Sequence, residues 1–189
     1  MNTANGRTPA AMQDAMIEEM RKLFEGKKYN GKPVYKLNED GTRMLDEKKK
    51  PIIDYTLKQL NVYRQDLPIP EQDDDDVDTA AAVAPWIIVR QTSTRIEGIT
   101  EPQHVNLALM ICAYDEGRDR EGFRDVQNII EVIMQHFSKG NTFGPAFTVL
   151  HPLQSAMQED DTSPYYFGAV NLVVTTPAVT RDETVGGLI

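Results

Sequence analysis

The sequence predicts an α+β fold: a mostly antiparallel sheet with two main helices packed on one face, plus a polar N-terminal excursion. Three observations predict it. Apolar residues recur at spacings of three and four in two separate stretches, residues 12–24 and 123–137. Residues 105–113 alternate between two faces as a strand does. Turn-forming pairs such as Asn30-Gly31 and Asp40-Gly41 cut the chain between them into short pieces. At 189 residues the chain reads as one domain, 1–189, with enough apolar content for a core of its own.

Thr8 and Pro9 read as an N-cap and a first helical residue, after which Met12, Met16, Met20, Leu23 and Phe24 line one face until Gly26. Residues 27–50 are the excursion, rich in Lys and Gly: either a small hairpin with Val34, Tyr35 and Leu37 in its first arm or, as its composition otherwise suggests, a mobile segment. Val62-Tyr63 reads as a strand, and Pro68 and Pro70 prevent a helix from following it. Residues 71–82 form an acidic loop, because clustered carboxylates repel one another and favour solvent.

A strand then starts at Trp86 and turns near Gly98. The next strand carries Val105, Leu107, Leu109, Ile111 and Ala113 on one face and a largely apolar second face, so it is expected at the centre, covered on both sides. Phe123, Val126, Ile129, Ile130, Ile133 and Phe137 give the clearest helical stripe, closed by Gly140. "PAFTVLHPL" and "PYYFGAVNLVVTTP" supply the last strands, and residues 181–189 read as a flexible tail.

Composition excludes several classes. With 20 Lys and Arg against 29 Asp and Glu, the formal charge of -9 argues against a surface that grips nucleic acid phosphates. Cys112 is the only cysteine, so neither an intrachain disulfide nor a cysteine-built zinc cluster is expected, and a reducing compartment fits. The first residues lack a signal-peptide pattern, and no run approaches the roughly 20 apolar residues of a membrane helix. A soluble subunit with no membrane partner is expected.

The stretch "YDEGRDREGFRDVQNIIEVIMQHF" has the outline of a phosphate loop, two glycines before a helix. A Walker loop needs Lys-Ser/Thr after its second glycine to reach the phosphates and magnesium, and Gly122 is followed by Phe123 and Arg124. Asp119 and Glu121 also stand where phosphate would sit. The expected structure is a loop with Asp119 available to cap the helix and Arg118, Arg120 and Arg124 in solvent or paired with neighbouring acids. Counting an EF-hand from Asp73 puts Asp78 at the glycine position and Ala84 at the final glutamate position, so that template fails. His104, His136 and His151 belong to no ligand pair, and no serine sits in GxSxG. Cys112 lies in the apolar strand, where a free cysteine behaves as a small buried hydrophobe. No enzyme, cofactor or metal site is expected.

The succession "PWIIVRQTS", "VNLALMICAYDEGRDREGFRDVQNIIEVIMQHF" and "QEDDTSPYYFGAVNLVVTTPAV" resembles the phage tail terminator, or tail completion, proteins. There a strand ending near Tyr-Asp is followed by a charged loop, a glycine and a helix, and a Pro-Tyr-Tyr-like strand closes the sheet. The likeness covers residues 83–180, with the helix of residues 9–25 in the expected place; the excursion departs from the pattern. It implies a virion protein of the tail or neck, made in the host cytoplasm. It further implies a homo-oligomeric ring, expected to be hexameric, that caps the head-proximal end of the tail tube, stops tube polymerisation and meets the neck or head-tail connector. DNA would pass through without specific binding, helped by an acidic lumen.

Under that resemblance Asp115, Arg118 and Arg120 form a candidate contact loop. Trp86, Tyr165 and Tyr166 are either interface anchors, as aromatics often are, or core residues. Asp73, Asp74, Asp75 and Asp76 either line the lumen or face solvent, the ordinary place for a charge run. The rival readings are another neck or tail component, such as a head-tail joining or tube protein, and a small metal-dependent hydrolase.

Overall fold

The structure, a computed structural model, describes residues 8–68, 84–98, 101–117 and 121–176. The elements run α1 (Pro9–Leu23), β1 (Lys28–Tyr35), β2 (Ile53–Gln59), β3 (Asn61–Arg64), β4 (Trp86–Ile96), β5 (Gln103–Tyr114), α2 (Gly122–Lys139), β6 (Thr142–Phe143), β7 (Phe147–Met157) and β8 (Tyr165–Thr176). Among the described residues no helix is long and apolar enough to cross a membrane.

Local chemistry sets the helix ends. The Thr8 hydroxyl accepts the Ala11 N–H at 3.2 Å, and Pro9 fills the first helical position where its missing N–H costs nothing. After α1 the chain turns through Gly26 at φ +72, a conformation that side chains resist. Glu121, not Asp119, precedes α2; its side chain makes no capping bond and pairs instead with Arg124 at 3.0 Å. Asp119 lies outside the described residues.

The expected fold class needs correction in three respects. Strand dominates, with eight strands against two helices among the described residues. The main sheet, in the order β3-β4-β5-β8-β7-β6, is curled and mixed, because β3 runs parallel to β4 with Asn61 opposite Trp86 and Arg64 opposite Val89. A parallel neighbour requires a crossover of about a dozen residues or more, which residues 65–85 are long enough to provide. No helical periodicity marks that connection, so the sequence does not advertise it.

The third correction concerns the excursion. β1 and β2 pair antiparallel as a separate two-stranded sheet, with Lys28 opposite Gln59 and Tyr35 opposite Ile53. Beyond them the chain stays paired through bridges between Leu37 and Arg43 and between Leu45 and Pro51. Two aspartates close the turns: Asp40 accepts the Thr42 N–H at 2.9 Å, and Asp46 accepts the Lys48 and Lys50 N–H groups at 2.8 Å each. Hydrogen bonds from the Thr42 hydroxyl and then its N–H hold the Asp40 carboxyl below the usual range. Residues 27–59 are therefore a folded arm. The acidic loop of residues 71–82 and the tail of residues 181–189 both lie outside the described residues.

Period-two alternation divides the main sheet into two faces. On one, Ile87, Val89, Leu107, Leu109, Val149 and Leu172 pack with Met12, Met16 and Met20 of α1 and with Val126, Ile129, Ile133 and Phe137 of α2. On the other, Trp86, Ile88, Cys112 and Tyr114 form a smaller cluster with Tyr63, Leu67, Met110 and Phe167 against it. The expected second cover over β5 reaches only its Met110–Tyr114 end, and Asn106 is exposed. Gly168 lets α2 sit close to β8: a Cβ there would meet Val126 Cγ1 at 2.7 Å.

Candidate functional site

The resemblance-bearing segments converge on one corner of the main sheet. β5 ends with Tyr114 opposite Tyr165 of β8, and their rings meet edge to face, 5.0 Å between centroids at 69°. The Asp115 N–H donates to the Pro164 carbonyl at 2.9 Å, while its carboxylate accepts the Gly117 N–H at 2.7 Å. Asp115 is thus occupied in shaping the turn out of β5. The Tyr114 hydroxyl donates to the Glu116 carboxylate. Burial, and then that neighbouring acid, push the Tyr114 phenol well above its ordinary value, so it stays protonated and donating.

The arm is fastened beside this corner. The Asn30 N–H donates to Asp125 in the first turn of α2 at 3.1 Å. Burial outweighs that hydrogen bond and raises the Asp125 carboxyl above its usual value. Burial, followed by the Asp125 charge, likewise raises the Tyr29 phenol. A cleft of about 340 Å³ separates arm from corner, lined by Gly31, Pro33, Thr56, Tyr114, Asp115 and Glu116 among others.

Trp86 is 6% exposed and tilted against Phe167 at 6.1 Å, so within one chain it serves packing. Tyr166 turns toward the helices, its ring over Gly122 and its buried hydroxyl without a hydrogen-bond partner. Tyr165 is 39% exposed. Strand alternation therefore sends Tyr166 to the helix side, beside Asp115 and Gly122, and Tyr165 to the opposite face, where it packs on Tyr114 on the same side as Trp86. Arg118, Arg120, Asp73, Asp74, Asp75 and Asp76 lie outside the described residues.

The corner offers carboxylates and a phenol, groups suited to hydrogen bonding. His136 is bound to Glu19 of α1 at 2.8 Å, His104 lies in β5 and His151 in β7, and among the described residues no histidine lines the cleft. Among the described residues no group of three His, Cys, Asp or Glu is arranged to hold a metal ion. Sequence reasoning missed Asn30, Asp125 and Gln13. Asn30 signals only a turn in sequence, and Asp125 only a helix start. Gln13 is the one polar residue buried on α1, donating to the Val89 carbonyl at 2.7 Å and to Gln65 at 3.1 Å.

No protein-family model matches the chain, and no curated protein matches it either.

Proposed function

We propose that the chain is a phage tail terminator, a subunit of a homo-oligomeric ring that caps the head-proximal end of the tail tube and meets the neck. The observation that carries this reading is the contiguity of the segments on which the resemblance rests. The Tyr114-Asp115 strand end, Gly122 at the start of α2 and the Pro164-Tyr165-Tyr166 strand start form one corner, with Tyr165 paired to Tyr114. A loose sequence pattern whose parts meet in space supports a shared architecture better than the same pattern scattered over the fold. The charge of -9 also suits a channel wall that DNA must slide past.

The test adds the purified protein to polymerising tube protein and measures tube length, with a parallel label for its position in virions. The terminator caps growth and labels one end of the tube. Unlimited growth, or label along the whole tube, sinks the reading, and the second result points to a tube subunit.

A further inference from the structure

We propose that the arm of residues 27–59 docks into a groove between α2 and the end of β7 on a second copy of this chain. The arm leaves four large aliphatic side chains in water: Leu37, Leu45, Ile53 and Leu57 are 59%, 56%, 50% and 52% exposed. Large aliphatic side chains exposed together on one arm are material for a contact. The arm is also basic, holding nine Lys and Arg against five Asp and Glu, a net charge of +4. The rest of the chain then carries -13, given a total of -9.

The groove has the matching character. Phe123 and Met157 stand 45% and 38% exposed on its two sides, with Ile130 and Ala156 between them, around a space of about 490 Å³. Glu131 lines it, and the chain continues from its Gln158 edge into the exposed acids Glu159 and Asp160. A groove in which Phe123, Ile130, Ala156 and Met157 stand beside Gln127 and Ser155, with an acidic border, suits an arm that carries exposed leucines together with Lys48, Lys49 and Lys50. In one copy both patches are exposed, so neither fills the other. Two different patches on one chain make a heterologous contact, which propagates from copy to copy and closes into a ring when the rotation allows. Charge complementarity favours this pairing over arm-to-arm contact, where like charges would face each other.

The contact supplies the proposed ring with its joint and rests on that reading only there; its test needs no tube protein. Sedimentation velocity of the full chain follows self-association at low and raised salt. The wild type associates, less so as salt screens the pairing. Leu37→Asp with Leu45→Asp in the arm, or Phe123→Asp with Met157→Asp in the groove, each weakens association at least about thirtyfold, the effect of losing one hot-spot residue. Mixing the arm variant with the groove variant gives one-to-one dimers and nothing larger, since one intact arm meets one intact groove. Lys48→Glu, Lys49→Glu and Lys50→Glu together give the same loss should an aspartate variant fail to fold. A wild type that stays monomeric at every concentration, variants that associate like wild type, or a mixture that does not pair overturns the proposal. Tube length left uncapped alongside intact self-association would sink the terminator reading alone.

Discussion

The ring of Tyr166 lies over Gly122 so closely that a Cβ on that glycine would stand 2.3 Å from Cδ2 and 2.5 Å from Cε2. Cβ of Asp115 would be only 2.8 Å away on another side. The helix can therefore start where it does only without a side chain. Gly122→Ala forces the ring or the helix to move and is expected to cost about 1–3 kcal/mol, the usual range for overpacking. Urea unfolding measures the loss, and adding Tyr166→Leu to Gly122→Ala recovers part of it. An unchanged midpoint in the single variant would show that the ring is free to swing away.

Asp125 makes stability depend on pH in a predictable direction. Its carboxyl titrates above its ordinary value of 3.8 in the folded chain because burial outweighs the Asn30 hydrogen bond. The folded state then holds the proton more tightly than the unfolded state. Stability contributed by this group is full below the ordinary value and falls as pH rises through the folded value. Asp125→Asn keeps an oxygen to accept the Asn30 N–H and removes the buried charge. The variant is expected to melt higher than wild type at neutral pH, with the difference shrinking as pH is lowered through that window. A lower melting temperature at neutral pH would mean that the charged hydrogen bond outweighs burial after all.

Much of the fold was legible wherever apolar periodicity is strong. The Met12, Met16, Met20 stripe and the Val126, Ile129, Ile133 stripe mark α1 and α2, and the alternation from Val105 to Ala113 marks β5. The mixed sheet was not legible, because β3 has four residues and its parallel partner lies across a connection with no helical pattern. Nor was the arm. Its strands are polar enough to read as loop, and their pairing is fixed by aspartate-closed turns and by Asn30 reaching Asp125. At the corner, Gly117 and Gly122 suggest phosphate by spacing alone. The reason for Gly122 is Tyr166, a residue distant in sequence that only the fold brings near.

Cys112 should behave as a buried hydrophobe. It is 1% exposed, and burial pushes its thiol up to about 12. Relative to a free thiol of ordinary pKa, that lowers the thiolate fraction near neutral pH by roughly a thousandfold. Alkylation of the native protein is expected to be slow and to track opening of the sheet, while the unfolded chain reacts at once. The raised value also predicts that stability falls above about pH 9, approaching about 1.4 kcal/mol per pH unit for this one group. Cys112→Ala removes its share of that slope. Fast native alkylation would contradict the buried placement.

Gln13 is the buried polar fastener between α1 and the parallel edge of the sheet, beside the more exposed contacts of Asp14 with Arg64 and of Arg21 with the Val62 carbonyl. Its amide donates to Val89 and to Gln65, whose side-chain oxygen also accepts the Gln91 N–H at 3.1 Å. The Val89 carbonyl has a second donor, the Gln65 N–H at 3.0 Å, so losing Gln13 does not leave it bare. Gln13→Met, which keeps length and burial, is therefore expected to cost about 0.5–1.5 kcal/mol, the net worth of an ordinary hydrogen bond. Gln13→Glu should cost more, since it turns a carboxylate toward a carbonyl and an amide oxygen in a buried place. Its penalty should shrink as pH falls and the carboxyl takes up a proton able to donate to Val89. Chemical unfolding of both variants across pH separates the two effects: a glutamate variant no worse than the methionine one would mean that the site admits water.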